Sequence, residues 1–169
     1  MKFKVVAAFF AVALVAGFTI LTLAASPALV SAAKGPKADV TFTKWITGCV
    51  PACAPSVLTN MVGIVGGDVG TGTFTGEVLS SVDNGTTTAI HALYHFNGGK
   101  HSFTADLFIL QTDATGAGVV TIGVVTTGWL SGSQVTGGFD LVAPCNIDTP
   151  GSVLGSLCFT GPLHIGPKY

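Results

Sequence analysis

Arginine is missing from all 169 residues, and charged side chains of any kind make up only 9% of them. From Lys34 onward, five lysines stand against eight carboxylates, a net charge of −3 with histidine neutral. No basic patch can form from so few cations, so the electrostatic term that drives nucleic-acid binding is missing and no nucleic-acid partner is expected. No cysteine precedes Cys49, which excludes a lipid-modified N-terminal cysteine. After Lys37 there is no helical periodicity. No glycine-rich loop joins a strand to a helix, and no serine sits in a nucleophile elbow. These absences argue against phosphate cradles and α/β-hydrolase chemistry.

What is present begins with an export pattern. Lys2 and Lys4 precede an apolar run from Val5 to Ala25, followed by small residues through Ala33. Val30-Ser31-Ala32 and Ser31-Ala32-Ala33 both suit signal peptidase. The expectation is a secretory signal-peptide helix over residues 1–33 and a secreted or extracytoplasmic single domain over 34–169. The alternative is a retained anchor, because the run is about as long as a spanning helix of roughly 20 residues; a membrane partner enters only on that alternative. The C-terminal residues hold no second apolar span.

Cys49, Cys53, Cys145 and Cys158 form an even set in an exported domain, which reads as two disulfides. The local pairs Cys49–Cys53 and Cys145–Cys158 are favoured, with the crossed pair Cys49–Cys158 left open. A Cys₄ zinc site is the alternative, but only Cys49 and Cys53 have ligand-like spacing. No metal and no cofactor is expected.

Runs of β-branched and aromatic residues alternate with Gly, Asp and Asn turns at regular spacing. They predict eight strands: 39–47, 57–65, 73–82, 87–97, 102–112, 119–127, 133–142 and 157–165. The short connectors imply antiparallel neighbours, and eight such strands can close into an up-and-down barrel. Asn84-Gly85-Thr86, at one turn, is also a glycosylation sequon.

Side-chain alternation with symmetric turns assigns the interior. It places Phe74, Gly76, Val78 and Val82 inside, with Ala89, His91, Leu93 and His95 on the next strand. The following strands contribute Phe103, Ala105, Leu107 and Ile109, then Val119, Thr121, Gly123 and Val125, then Val135, Gly137, Phe139 and Leu141. On the last strand Gly161 faces inward. The many small inward residues leave room either for large rings or for a cavity. The same register leaves Ile90, Tyr94, Phe96, Phe108, Leu110, Val120, Ile122 and Val124 on the outside. So apolar a surface predicts a homo-oligomer or coverage by a terminal segment.

His91, His95, Phe74, Phe103 and Phe139 are therefore the candidate ligand-binding residues. Inward histidines can serve acid–base or ligand roles, or simply hydrogen-bond Ser80, Thr121 or a trapped water. No third histidine converges on them, since His101 lies in a turn and His164 points outward. The carboxylates are scattered: Asp68, Asp83, Asp113 and Asp148 are turn residues, and Glu77, Asp106 and Asp140 point outward. None forms the opposed pair of a glycosidase.

The segment Gly70-Thr71-Gly72-Thr73-Phe74-Thr75-Gly76, with the glycine-punctuated meander behind it, resembles the allene oxide cyclase and dirigent barrel superfamily. That resemblance implies an eight-stranded antiparallel barrel with an apolar cavity and trimeric assembly. The stretch from Gly123 to Gly137 is similar to paired strands of small secreted bacterial barrels. The families' acidic and aromatic pocket residues have no clear counterparts, so no catalytic residue is carried over. Three functions follow, in order: a secreted barrel binding a small apolar ligand, a self-assembling structural protein, and a cyclase- or isomerase-like enzyme.

Overall fold

The computed structural model describes residues 37–47, 54, 56–143, 145 and 157–168. The leader expected over residues 1–33, together with Cys49 and Cys53, lies outside them. Eight strands close a barrel in sequence order: β1 (Ala38–Ile46), β2 (Thr59–Gly67), β3 (Gly72–Asp83), β4 (Thr87–Gly98), β5 (Ser102–Thr112), β6 (Gly118–Gly128), β7 (Ser133–Val142) and β8 (Cys158–Lys168). Every neighbouring pair is antiparallel, and β1 against β8 completes the ring. Closure leaves no unpaired sheet edge. No helix occurs among the described residues.

Turn chemistry explains the hairpins. At the β3–β4 tip the Gly85 amide donates to Asp83 Oδ1 at 2.6 Å, and Gly85 takes φ +84°, where a side chain is disfavoured. The strands themselves are cut from alternating sequence. On β1, Ala38, Val40 and Phe42 are buried, while Asp39, Thr41 and Thr43 lie on the outer face.

One half of the interior is filled with rings. Phe42, Phe74, Phe96 and Phe103 are all buried. Phe74 and Phe96 meet edge-on at 5.4 Å, and Phe96 stacks on Phe103 at 4.5 Å. Each such ring contributes about 1.5–3 kcal/mol of burial. Inward glycines make the space for the rings. A Cβ on Gly76 would meet Phe74 Cζ at 2.9 Å, and one on Gly118 would collide with the Phe139 ring. Val69, fully buried in the β2–β3 turn, adds to the packing at this end, as do the part-buried Trp129 and Leu130 of the β6–β7 turn.

The expected interior is correct on β5 and β7, on β3 up to Val78, and for Gly161 between the buried Phe159 and Leu163. It is wrong on β4. There the inner face carries Ile90, Ala92, Tyr94 and Phe96, while Ala89, His91, Leu93 and His95 face outward. Two features of the pairing cause this. Leu79 is an extra residue on β3, because Val78 lies opposite Ala92 but Ser80 lies opposite His91. A bulge of this kind exchanges the two faces of the strand beyond it, so Val82 is 58% exposed rather than inside. At the other end, Asn97 pairs with Ser102, and the four-residue connection matches even positions of β4 with odd positions of β5.

On β6 the same effect appears twice. Thr126 and Thr121 are skipped in the pairing with β5, and each donates its hydroxyl to a β5 carbonyl, Thr104 and Phe108 respectively. Gly123 and Val125 face inward as expected. Val119 and Thr121 do not, and Val120 takes the inner position. The outer apolar surface is accordingly narrower than expected. Tyr94, Phe96, Ile90 and Val120 leave it; Phe108, Leu110, Ile122 and Val124 remain exposed on β5 and β6, and Val119 joins them.

Candidate functional site

The other half of the barrel is open. A pocket of about 300 Å³ enters at the end where β1 finishes and β2, β4 and β8 begin. Ile46, Leu58, Met61, Val78, Ile90, Phe139 and Phe159 supply an apolar wall, and Thr59, Ser81, Thr88 and Gln111 add polar groups. The two most unusual members of the lining are Lys44 and Tyr94.

Lys44 occupies an inward position of β1, in line with Val40 and Phe42, and is 3% exposed. Gly63 lies beside it on β2; a Cβ there would meet the Lys44 Cα at 2.9 Å. The lysine chain crosses the interior and its Nζ donates a hydrogen bond to the Tyr94 hydroxyl of β4. The ammonium lies 3.9 Å from the centroid of the Phe139 ring and 4.5 Å from that of Tyr94. Cation–π contacts of this kind are worth about 0.5–2 kcal/mol when desolvated. No carboxylate pairs with Lys44 among the described residues. Burial therefore lowers its ammonium from 10.5 to about 7, and pushes the Tyr94 phenol upward, so that it stays protonated.

This arrangement sits where packed and open halves meet. Phe74 approaches Tyr94 edge-on at 4.9 Å from below, and Phe139 and Phe159 pack at 5.5 Å beside the pocket. Of the three phenylalanines singled out from the sequence, all face inward, but only Phe139 lines the pocket; Phe74 and Phe103 belong to the packed aromatic core.

His91 and His95 lie on the outer wall, contrary to the expected register. His91 Nε2 lies 2.7 Å from Asp106 Oδ1, and its ring stacks on Phe108 at 4.3 Å. His95 Nδ1 lies 3.0 Å from Thr104 Oγ1. Their partners come from β5 rather than from Ser80 or Thr121. His101 stacks on Trp129 at 4.0 Å, and the outward His164 meets Asp39 at 2.7 Å. Among the described residues no cluster of three or more His, Cys, Asp or Glu side chains is placed to hold a metal.

Cys145 and Cys158 are joined as a disulfide. Both are buried against the outer side of β1, where they cover Trp45. Such a bond points to an oxidising, extracytoplasmic setting.

Lys44 and Tyr94 escaped the sequence reading. The signal was available on β1, where Lys44 shares its parity with the apolar Ala38, Val40, Phe42 and Ile46 and opposes Asp39, Thr41 and Thr43. Comparison with protein-family models, with curated proteins and with solved structures finds no match.

Proposed function

We propose that this is a secreted barrel that binds a small apolar molecule in its open end, with an oxygen of that molecule held by Lys44 and Tyr94. The observation that carries the reading is a lone buried lysine without a carboxylate partner among the described residues, set in an apolar pocket that reaches solvent. Ligand sites are typically concave and mostly apolar with a few polar groups that fix orientation, and this pocket has that composition. The resemblance to allene oxide cyclase and dirigent barrels is part of the same reading, resting on the Gly70–Gly76 segment and the strand count.

Fluorescence of N-phenyl-1-naphthylamine tests it. The dye should brighten on binding and be displaced by medium-chain alcohols or ketones. Val78→Phe, which fills the pocket, should abolish binding while circular dichroism stays unchanged. No dye binding by the folded protein would contradict the proposal.

A second reading is favoured by the outer face of β5 and β6, where Ile122 and Val119 are 65% and 60% exposed. Contiguous apolar surface of this kind commonly marks an interface, and self-association through it would make the barrel a building unit. Sedimentation velocity should then show an oligomer that Ile122→Lys dissociates; a monomer at all concentrations contradicts it.

A further inference from the structure

We infer that Lys44 is a carbonyl-reactive amine, and that the ligands of the pocket include small apolar aldehydes or ketones held on it as a reversible imine. The inference rests on the binding reading above and deepens it.

Three features of the geometry support it. Lys44 lines a pocket open to solvent, and its Nζ lies over the Phe139 and Tyr94 rings of the same lining, where a molecule of limited size can meet it. Its surroundings are rings and aliphatic chains, and among the described residues Tyr94 is the only other titratable group in the pocket lining. The strands that line the pocket contribute Thr59, Ser81, Thr88 and Gln111, which carry no charge. Desolvation in such a site keeps a substantial share of the amine neutral near pH 7, which is the form that attacks a carbonyl. Finally, the Tyr94 hydroxyl is within hydrogen-bond contact of the same nitrogen and remains protonated.

The step balances without an external oxidant or reductant. The neutral Nζ adds to the carbonyl carbon, forming the C–N bond, and a proton passes from nitrogen to oxygen to give a carbinolamine. Tyr94 donates its proton to the departing hydroxyl, the C–O bond breaks and water leaves. The nitrogen gives up its second proton to the Tyr94 oxygen, which restores the phenol and leaves the neutral imine. Addition of water reverses the sequence.

The test incubates the full-length protein with hexanal and sodium cyanoborohydride at neutral pH, followed by peptide mapping. The borohydride reduces the imine to a stable secondary amine. Lys44 should be alkylated at least tenfold faster than Lys37 or Lys100, neither of which lines the pocket. Tyr94→Phe should slow the trapping at least tenfold. If hexanal displaces the dye but Lys44 is trapped no faster than Lys37 or Lys100, the imine inference is overturned and the binding reading stands. If the folded protein binds no dye and Lys44 is not trapped preferentially, both are overturned; if it binds dye that hexanal does not displace and Lys44 is not trapped preferentially, the imine inference alone is overturned. The wild-type map decides the question even if the Tyr94 variant fails to fold.

Discussion

Lys44 on β1 and Tyr94 on β4 are joined across the barrel interior by a hydrogen bond from Nζ to the phenol oxygen, and neither has a charged partner among the described residues. Stability should therefore depend on pH in a particular direction. Lys44 is lowered to about 7 in the folded chain and returns to about 10.5 on unfolding. Between those values the unfolded state binds the proton that the native state has released, so stability rises with pH, by at most about 1.4 kcal/mol per pH unit. Above pH 10 the raised Tyr94 acts in the opposite sense, because only the unfolded tyrosine ionises. Urea midpoints should climb from about pH 7 to 10, and Lys44→Met should remove most of that climb. An equal climb in the variant would mean that Lys44 is not buried.

The two partners should respond unequally to removal. Lys44→Met replaces a buried charge with an apolar chain of similar length and should be neutral or stabilising below pH 7. Tyr94→Phe leaves the buried nitrogen without its oxygen partner and should cost about 1–3 kcal/mol. Paired denaturant titrations at one pH distinguish the two.

The barrel itself was largely legible. Strand bounds move by no more than three residues from the expected ones, because Gly, Asp and Asn mark the turns and β-branched residues mark the strands. The facing of β4 was legible from one side only: the skip at Leu79 has no sharp sequence signal, whereas strands ending at Asn97 and starting at Ser102 already imply the even-to-odd pairing of β4 with β5. Apolarity alone would have chosen correctly, since Ile90, Ala92, Tyr94 and Phe96 form a more apolar face than Ala89, His91, Leu93 and His95. The site goes with it, because symmetric turns put Tyr94 on the outside and do not reach Lys44 on β1.

Because His91 and His95 lie on the outer wall, His91→Gln and His95→Gln should leave dye binding in the pocket unchanged. The His91–Asp106 contact is part-exposed at 26% and 32%, and loss of such a pair costs about 1 kcal/mol or less. A loss of binding in either variant, with the fold retained, would place those rings inside.

Removing the Cys145–Cys158 bond, which closes a separation of 13 residues, should cost about 3 kcal/mol. It should also uncover Trp45, which packs with both cysteines. In a Trp129→Phe background, Cys145→Ser with Cys158→Ser should shift tryptophan emission to the red. Unchanged emission and an unchanged thermal midpoint would show that the bond does not seal this side of the barrel.

The most direct measurement is an NMR titration of the Lys44 side chain in isotopically labelled protein. The account predicts an inflection near pH 7, together with cross-peaks from the Lys44 methylenes to the Phe139 and Tyr94 rings. An inflection near pH 10.5, with no contact to either ring, would contradict it.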